Sequence, residues 1–151
     1  MLKRHRGKAG QEGARGDYVL DEQVGFRLRV AMQRHTAIFT SQMVGGLTQT
    51  QFAALAKLVE VGSCSQNQLG RLIYLDAATI KGVVDRLIGR GFVATTVDPQ
   101  DRRRRAVALT PEGRRVIESA IRVAAGITAA TLAPLTPDEQ RTIVQLLRKL
   151  G

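Results

Sequence analysis

Asp76-Ala77-Ala78-Thr79-Ile80-Lys81-Gly82-Val83-Val84-Asp85-Arg86-Leu87-Ile88-Gly89-Arg90-Gly91, continuing through Phe92-Val93-Ala94-Thr95-Thr96-Val97 to Thr110, is the stretch around which this 151-residue chain is organised. Asp76 has the short polar acceptor of a helix N-cap, and Ile80, Val83, Val84, Leu87 and Ile88 recur at helical spacing. Gly91 suits the left-handed residue that ends a helix. The spacing therefore predicts one amphipathic helix over 76–90. Residues 92–97 are rich in β-branched side chains, Asp98-Pro99-Gln100-Asp101 supplies a turn, and Ala106-Val107-Ala108-Leu109 reads as the returning strand. Arg102, Arg103, Arg104 and Arg105 then fall in the hairpin loop, four guanidinium groups that suit a phosphate-lined groove.

Projected at about 100° per residue, the face of this helix opposite its apolar stripe carries Ala78, Gly82, Asp85 and Gly89, flanked by Thr79, Lys81 and Arg86. Such small residues let a helix backbone approach a macromolecular surface such as a major groove. The bland reading is a solvated face that happens to be rich in Ala and Gly; the adjacent arginine-tipped hairpin decides for DNA. Asp85 either accepts from a cytosine amino group or pairs with a neighbouring basic side chain, and the pairing is the better expectation.

Leu75-Asp76-Ala77-Ala78-Thr79-Ile80, Val84-Asp85-Arg86-Leu87, Gly91-Phe92-Val93, Asp98-Pro99-Gln100-Asp101-Arg102-Arg103 and Leu109-Thr110-Pro111-Glu112-Gly113-Arg114 resemble, in order and spacing, the MarR family of bacterial transcriptional regulators. The likeness covers roughly residues 20 to 150. It implies a winged helix-turn-helix fold, mostly α with a small β-hairpin wing, and a homodimer whose terminal helices interleave so that two recognition helices address a palindromic site. It further implies that Ala78, Thr79, Lys81, Gly82, Arg86, Asp101, Arg102, Arg103, Arg104 and Arg105 form the DNA-binding set. Within it Arg103 enters the minor groove, with Asp101 holding its guanidinium.

Length and composition agree with one domain. A chain of 151 residues suits a single core and is short for two. Aromatic residues make up 4% and Trp is absent, a poor endowment for stacking on single strands, so duplex backbone contact fits better. The net charge of +10 is uneven: residues 1–16 hold five Lys or Arg against one acid, and residues 71–115 hold ten against five. That concentration is an electrostatic footprint rather than a general solubilising charge. No run approaches the roughly 18 apolar residues of a membrane span and the N-terminus lacks a signal-peptide core, so a cytoplasmic protein without membrane contact is expected.

Along the chain, residues 1–16 are rich in Lys, Arg and Gly and read as a disordered basic arm, either touching DNA or an idle solubilising tail. Residues 17–151 form a single domain, in which 17–45 and 111–151 are dimerisation helices and 48–110 is the DNA-binding lobe. Val24, Leu28, Ala31, Met32, Ile38, Phe39 and Met43 place a long first helix from Leu20 to Met43, stopped by Gly45-Gly46. Thr48-Gln49-Thr50-Gln51, Ser65-Gln66-Asn67-Gln68 and Thr136-Pro137-Asp138-Glu139 are capping-box starts, while Thr110-Pro111 caps a helix carrying Val116, Ile117, Ala120, Ile121, Ala124, Ile127 and Thr131. Ile143, Leu146, Leu147 and Leu150 complete a last amphipathic helix.

Catalytic and metal chemistry lack material. Only His5 and His35 are present, with no nucleophile elbow or phosphate loop, so no enzyme, no metal site and no cofactor are expected. Cys64 is the single cysteine and reads as a packed thiol, with thiol-based redox sensing as the alternative. Arg34, His35 and Phe39 support two readings: an interfacial histidine beside a solvent-facing arginine, or an effector site. The runs Asp21-Glu22-Gln23-Val24-Gly25-Phe26 and Gln33-Arg34-His35-Thr36-Ala37-Ile38-Phe39 resemble family members that control aromatic-acid catabolism of the hydroxycinnamate type. That likeness implies a small aromatic carboxylate, or an aromatic acyl-CoA thioester, as effector. The expected protein is thus a ligand-responsive repressor on double-stranded DNA; an architectural protein binding DNA without sequence preference is the alternative.

Overall fold

The computed structural model describes residues 18–151, so the basic arm read over residues 1–16 lies outside the described residues. After a 3-10 turn (Leu20–Glu22), the elements follow as α1 (Val24–Gln42), α2 (Gln49–Val61), α3 (Gln66–Leu72), α4 (Ala77–Gly89), β1 (Val93–Val97), β2 (Arg105–Leu109), α5 (Pro111–Leu132) and α6 (Pro137–Arg148). The chain divides into two compact units, one ending at Gln33 and one running from Arg34 to Gly151. Among the described residues no single helix is long and apolar enough to cross a membrane.

In the first unit the chain does not enter a helix at Leu20 as its apolar spacing suggests. It makes one 3-10 turn, passes through Gln23 in an extended conformation (φ −82°, ψ 132°), and only then starts α1. The Gln23 side-chain amide donates to the Val19 carbonyl at 2.9 Å and Arg27 donates to the Asp21 carbonyl, so these acceptors are satisfied without a helical ladder. Arg29 lies over the Phe26 ring, 5.1 Å from its centroid. Leu20, Val24, Leu28 and Met32 are all exposed.

In the second unit, helix starts follow local chemistry. Thr48 and Gln51 close a full capping box on α2, as Thr136 and Glu139 do on α6. Ser65, Asp76 and Thr110 each accept from the backbone N–H three residues on. The core gathers Leu55 and Leu58 of α2, Leu69 of α3, Ile80, Val83, Val84 and Leu87 of α4, and Ile117 and Ala120 of α5, with Phe92, Val93 and Val107 from the hairpin. Ile88, the last member of the predicted α4 stripe, is exposed instead.

β1 and β2 are antiparallel, with Val93 opposite Leu109 and Val97 opposite Arg105. Cys64 adds an outer bridge to β2: its N–H donates to the Val107 carbonyl at 3.2 Å and its carbonyl accepts from Val107 at 2.8 Å. The segment between α2 and α3 is thereby stitched to the wing. α5 is seated on the same junction through Gly113, where a Cβ would fall 1.8 Å from the Phe92 carbonyl oxygen. Only a residue without a side chain lets the first turn of α5 cross there.

Candidate nucleic-acid interface

α3, a tight turn and α4 form the helix-turn-helix, and their close approach is set by Gly70. A Cβ on Gly70 would lie 3.0 Å from Ile80 Cγ2 and 3.2 Å from the Leu75 carbonyl oxygen. Asp76 then starts α4 by accepting from the Thr79 N–H at 2.7 Å. Hydrogen bonds from the Thr79 amide and hydroxyl hold the Asp76 carboxyl below the usual carboxylate range.

On the outer face of α4, Ala78, Thr79, Lys81, Asp85, Arg86 and Gly89 are exposed and Gly82 is half-buried. Lys81 pairs with Asp85 at 2.6 Å, the intrahelical pairing expected for Asp85. The half-burial of Gly82 comes from Arg86: a Cβ there would stand 3.5 Å from the Arg86 guanidinium, which lies across the gap. Around Gly89 a Cβ would meet nothing within 4 Å, so the far end of the face is open.

The wing loop is shaped by two carboxylates. Asp98 Oδ1 accepts from the Gln100 N–H at 2.8 Å, and Asp101 Oδ1 accepts from the Arg103 N–H at 2.9 Å. The Asp98 N–H donates to the Arg104 carbonyl, also at 2.9 Å, closing the loop. Asp101 was expected to hold the Arg103 guanidinium. Its Oδ2 instead lies 3.5 Å from Arg104 Nε, because its other oxygen is turned onto the Arg103 backbone. Arg102 and Arg103 are exposed and make no ion pair among the described residues. Arg105 is not in the loop as read from sequence; it opens β2 opposite Val97.

The three residues set aside for a small molecule separate. The Arg34 guanidinium donates to the Ala130 carbonyl at 2.8 Å and to the Thr131 carbonyl, two of the last carbonyls of α5, which lack helical partners. It serves as a cap for that helix and lines neither cavity described below. His35 Nδ1 lies 2.9 Å from Thr131 Oγ1, and that hydroxyl itself donates to the Ile127 carbonyl at 2.9 Å. The hydroxyl thus bridges the His35 ring and the Ile127 carbonyl, and Nε2 is the ring nitrogen without a hydrogen bond among the described residues. His35 and Phe39 line a cavity of about 260 Å³ with Gln49, Phe52, Ala124, Ile127 and Thr128. Phe39 and Gln49 also border a larger cavity of about 550 Å³ beside Thr36, Met43 and Gly46.

Sequence reasoning missed Arg90, which follows α4. Its Nη1 donates to the Gly46 carbonyl and to Gln51 Oε1, each at 3.1 Å, and Nη2 donates to the Gly45 carbonyl. Its guanidinium also lies over Phe92 at 4.6 Å. A basic residue at the C-cap of the helix was the only local signal. Cys64 is buried, and burial pushes its thiol up, away from the reactive thiolate that redox sensing needs.

With this geometry in place, comparison with known proteins gives a uniform result. The sequence profile of the MarR family matches residues 47–104. The HTH-type transcriptional repressor NicR of Pseudomonas putida is 41% identical over 134 residues, spanning 88% of this chain and 85% of the relative. A probable transcriptional regulator from Pseudomonas aeruginosa superposes with a TM-score of 0.84 at 50% identity, over 88% of this chain and 100% of that one. Bordetella bronchiseptica BpsR, solved in a study of how 6-hydroxynicotinic acid regulates its DNA binding, superposes at 0.83 with 43% identity, over 89% and 97% of the two chains.

Proposed function

Because the chain belongs to the MarR family, we propose that it is a repressor that grips a palindromic operator as a homodimer and lets go when a single-ring aromatic carboxylate enters the His35 cavity. The observation that carries the DNA half is the pairing pattern: on a basic surface, Lys81 and Arg104 have acidic partners while Arg102 and Arg103 at the wing tip have none among the described residues. Unpaired guanidinium forks suit a narrow, negative minor groove. The small-residue face of α4 supports its placement in the major groove.

The dimer is supported by apolar surface that one chain leaves bare. α6 has no buried residue, and Leu146, Leu147 and Leu150 are exposed, as is Ile121 on α5. A second copy covers such stripes and sets two α4 helices at a fixed spacing.

For the effector, the cavity volume favours one ring, and BpsR, whose DNA binding is regulated by 6-hydroxynicotinic acid, supports the acid class. The walls are Phe39, Phe52 and Ile127, with His35 Nε2 as the polar group for a carboxylate. Release from DNA requires tighter binding of the acid to the DNA-incompetent spacing, because equal affinity for both states shifts nothing.

A duplex selected from a random pool, titrated at matched salt, tests the reading. A repressor discriminates it from random DNA by about a thousandfold or more, whereas an architectural protein binds both alike. Benzoates, hydroxycinnamates, pyridine carboxylates and their thioesters are then titrated against the complex. The reading fails if none dissociates it, or if His35→Ala responds like the wild type.

A further inference from the structure

α3 and α4 end in the same hydrogen-bonding motif, and the residues at its left-handed position differ. At the end of α4, Phe92 N–H donates to the Leu87 carbonyl at 3.0 Å and Gly91 N–H to the Ile88 carbonyl at 2.9 Å, with Gly91 at φ +76°. At the end of α3, Leu75 N–H donates to the Gly70 carbonyl at 2.9 Å and Tyr74 N–H to the Arg71 carbonyl at 3.3 Å, with Tyr74 at φ +59°. Among the described residues Tyr74 is the one non-glycine with positive φ. A bulky side chain there crowds the backbone, and glycine is the relaxed solution.

The fold returns nothing for this strain. Tyr74 is 86% exposed and takes part in no side-chain hydrogen bond, aromatic pair or cation–π contact among the described residues. A strained, exposed aromatic that packs on nothing points outward to a partner. Its place says which partner: it sits in the turn of the helix-turn-helix, two residues before the Asp76 cap, next to the exposed Arg71. The N-terminal end of a recognition helix enters the groove beside the phosphate backbone, and tyrosine hydroxyls are among the groups that bond phosphates.

We propose that Tyr74 is a DNA-backbone contact, its phenolic hydroxyl donating to a phosphate at the edge of the groove that α4 enters. The proposal rests on reading α4 as the recognition helix. It holds that the left-handed turn is retained with a tyrosine because DNA affinity depends on it.

Tyr74→Gly and Tyr74→Phe in the full chain test this, with thermal unfolding and binding to the selected duplex measured side by side. Tyr74→Gly should raise the midpoint by about 2–4 °C, since strain is relieved, and weaken binding by about tenfold, on the scale of one hydrogen bond to a charged group. Tyr74→Phe should leave the midpoint unchanged and weaken binding similarly. In both variants the dependence of affinity on salt should stay as in the wild type, because no cation is lost. Wild-type affinity in Tyr74→Phe overturns the proposal, as does wild-type affinity or a lowered midpoint in Tyr74→Gly or a change confined to dimer dissociation. A wild type that shows no salt-dependent duplex binding is a separate result and overturns the reading of α4 itself.

Discussion

Arg103 and Arg104 are neighbours held in different ways: Asp101 grips the backbone of the first and the side chain of the second. Arg103 is therefore positioned through its main chain while its guanidinium has no acidic partner among the described residues, which is the arrangement a groove-entering cation needs. Arg103→Ala should weaken operator binding by more than about 1 kcal/mol and lower the salt slope by about one; a folded variant with unchanged affinity and slope would remove Arg103 from the interface. At Asp76 the sign of the pH effect follows from its hydrogen bonds to Thr79, which lower the folded carboxyl below its unfolded value. Its stabilisation is present above the unfolded value and lost as pH falls through the folded one. Asp76→Asn keeps a capping acceptor and cannot titrate, so the wild type should exceed it in stability near neutrality and lose that margin in acid. A margin that is constant across the pH range contradicts this account. The Lys81–Asp85 pair was legible because a helix puts residues four apart side by side. The capping role of Arg34 was not, because its partners Ala130 and Thr131 lie about a hundred residues away along the chain.

Among the elements, the close crossing of wing and α5 requires Gly113. Gly113→Ala would gain about 1 kcal/mol of helix propensity, yet its Cβ collides with the fixed Phe92 carbonyl. An overpacking cost of about 3 kcal/mol outweighs that gain. Gly89→Ala is the matched control, exposed with no atom near its Cβ, and it should stabilise by up to about 1 kcal/mol. Denaturant unfolding of the two variants should give opposite signs; equal signs refute the crossing geometry. Capping boxes at Thr48 and Thr136 could be read from four residues each, since their bonds are local. The 3-10 turn before α1 and the bridge from Cys64 to Val107 could not, because the first competes with a helical pattern and the second joins distant segments.

At the scale of the whole molecule, the bare stripe of α6 is the test of assembly. Leu146→Glu combined with Leu147→Glu places two charges on a surface that a lone chain already exposes, so helix content should persist while the dimer dissociates and operator affinity falls. Sedimentation equilibrium decides it: a double variant that remains dimeric locates the interface elsewhere. The side chain of Arg90 carries a different consequence at this scale. It fastens the Gly45 and Gly46 carbonyls and the capping-box Gln51 to the end of α4 and the Phe92 ring, and Gly46 is also a wall of the larger cavity. A displacement of that wall must then turn the last turn of α4 or break the guanidinium's hydrogen bonds. Linkage makes any such connection reciprocal, so the factor by which a ligand moving that wall would loosen the operator is the factor by which the operator would loosen the ligand. On the proposed function, the protein seated on its operator would be a poorer receptor than the same protein free in solution, and the DNA would act as an antagonist of the ligand.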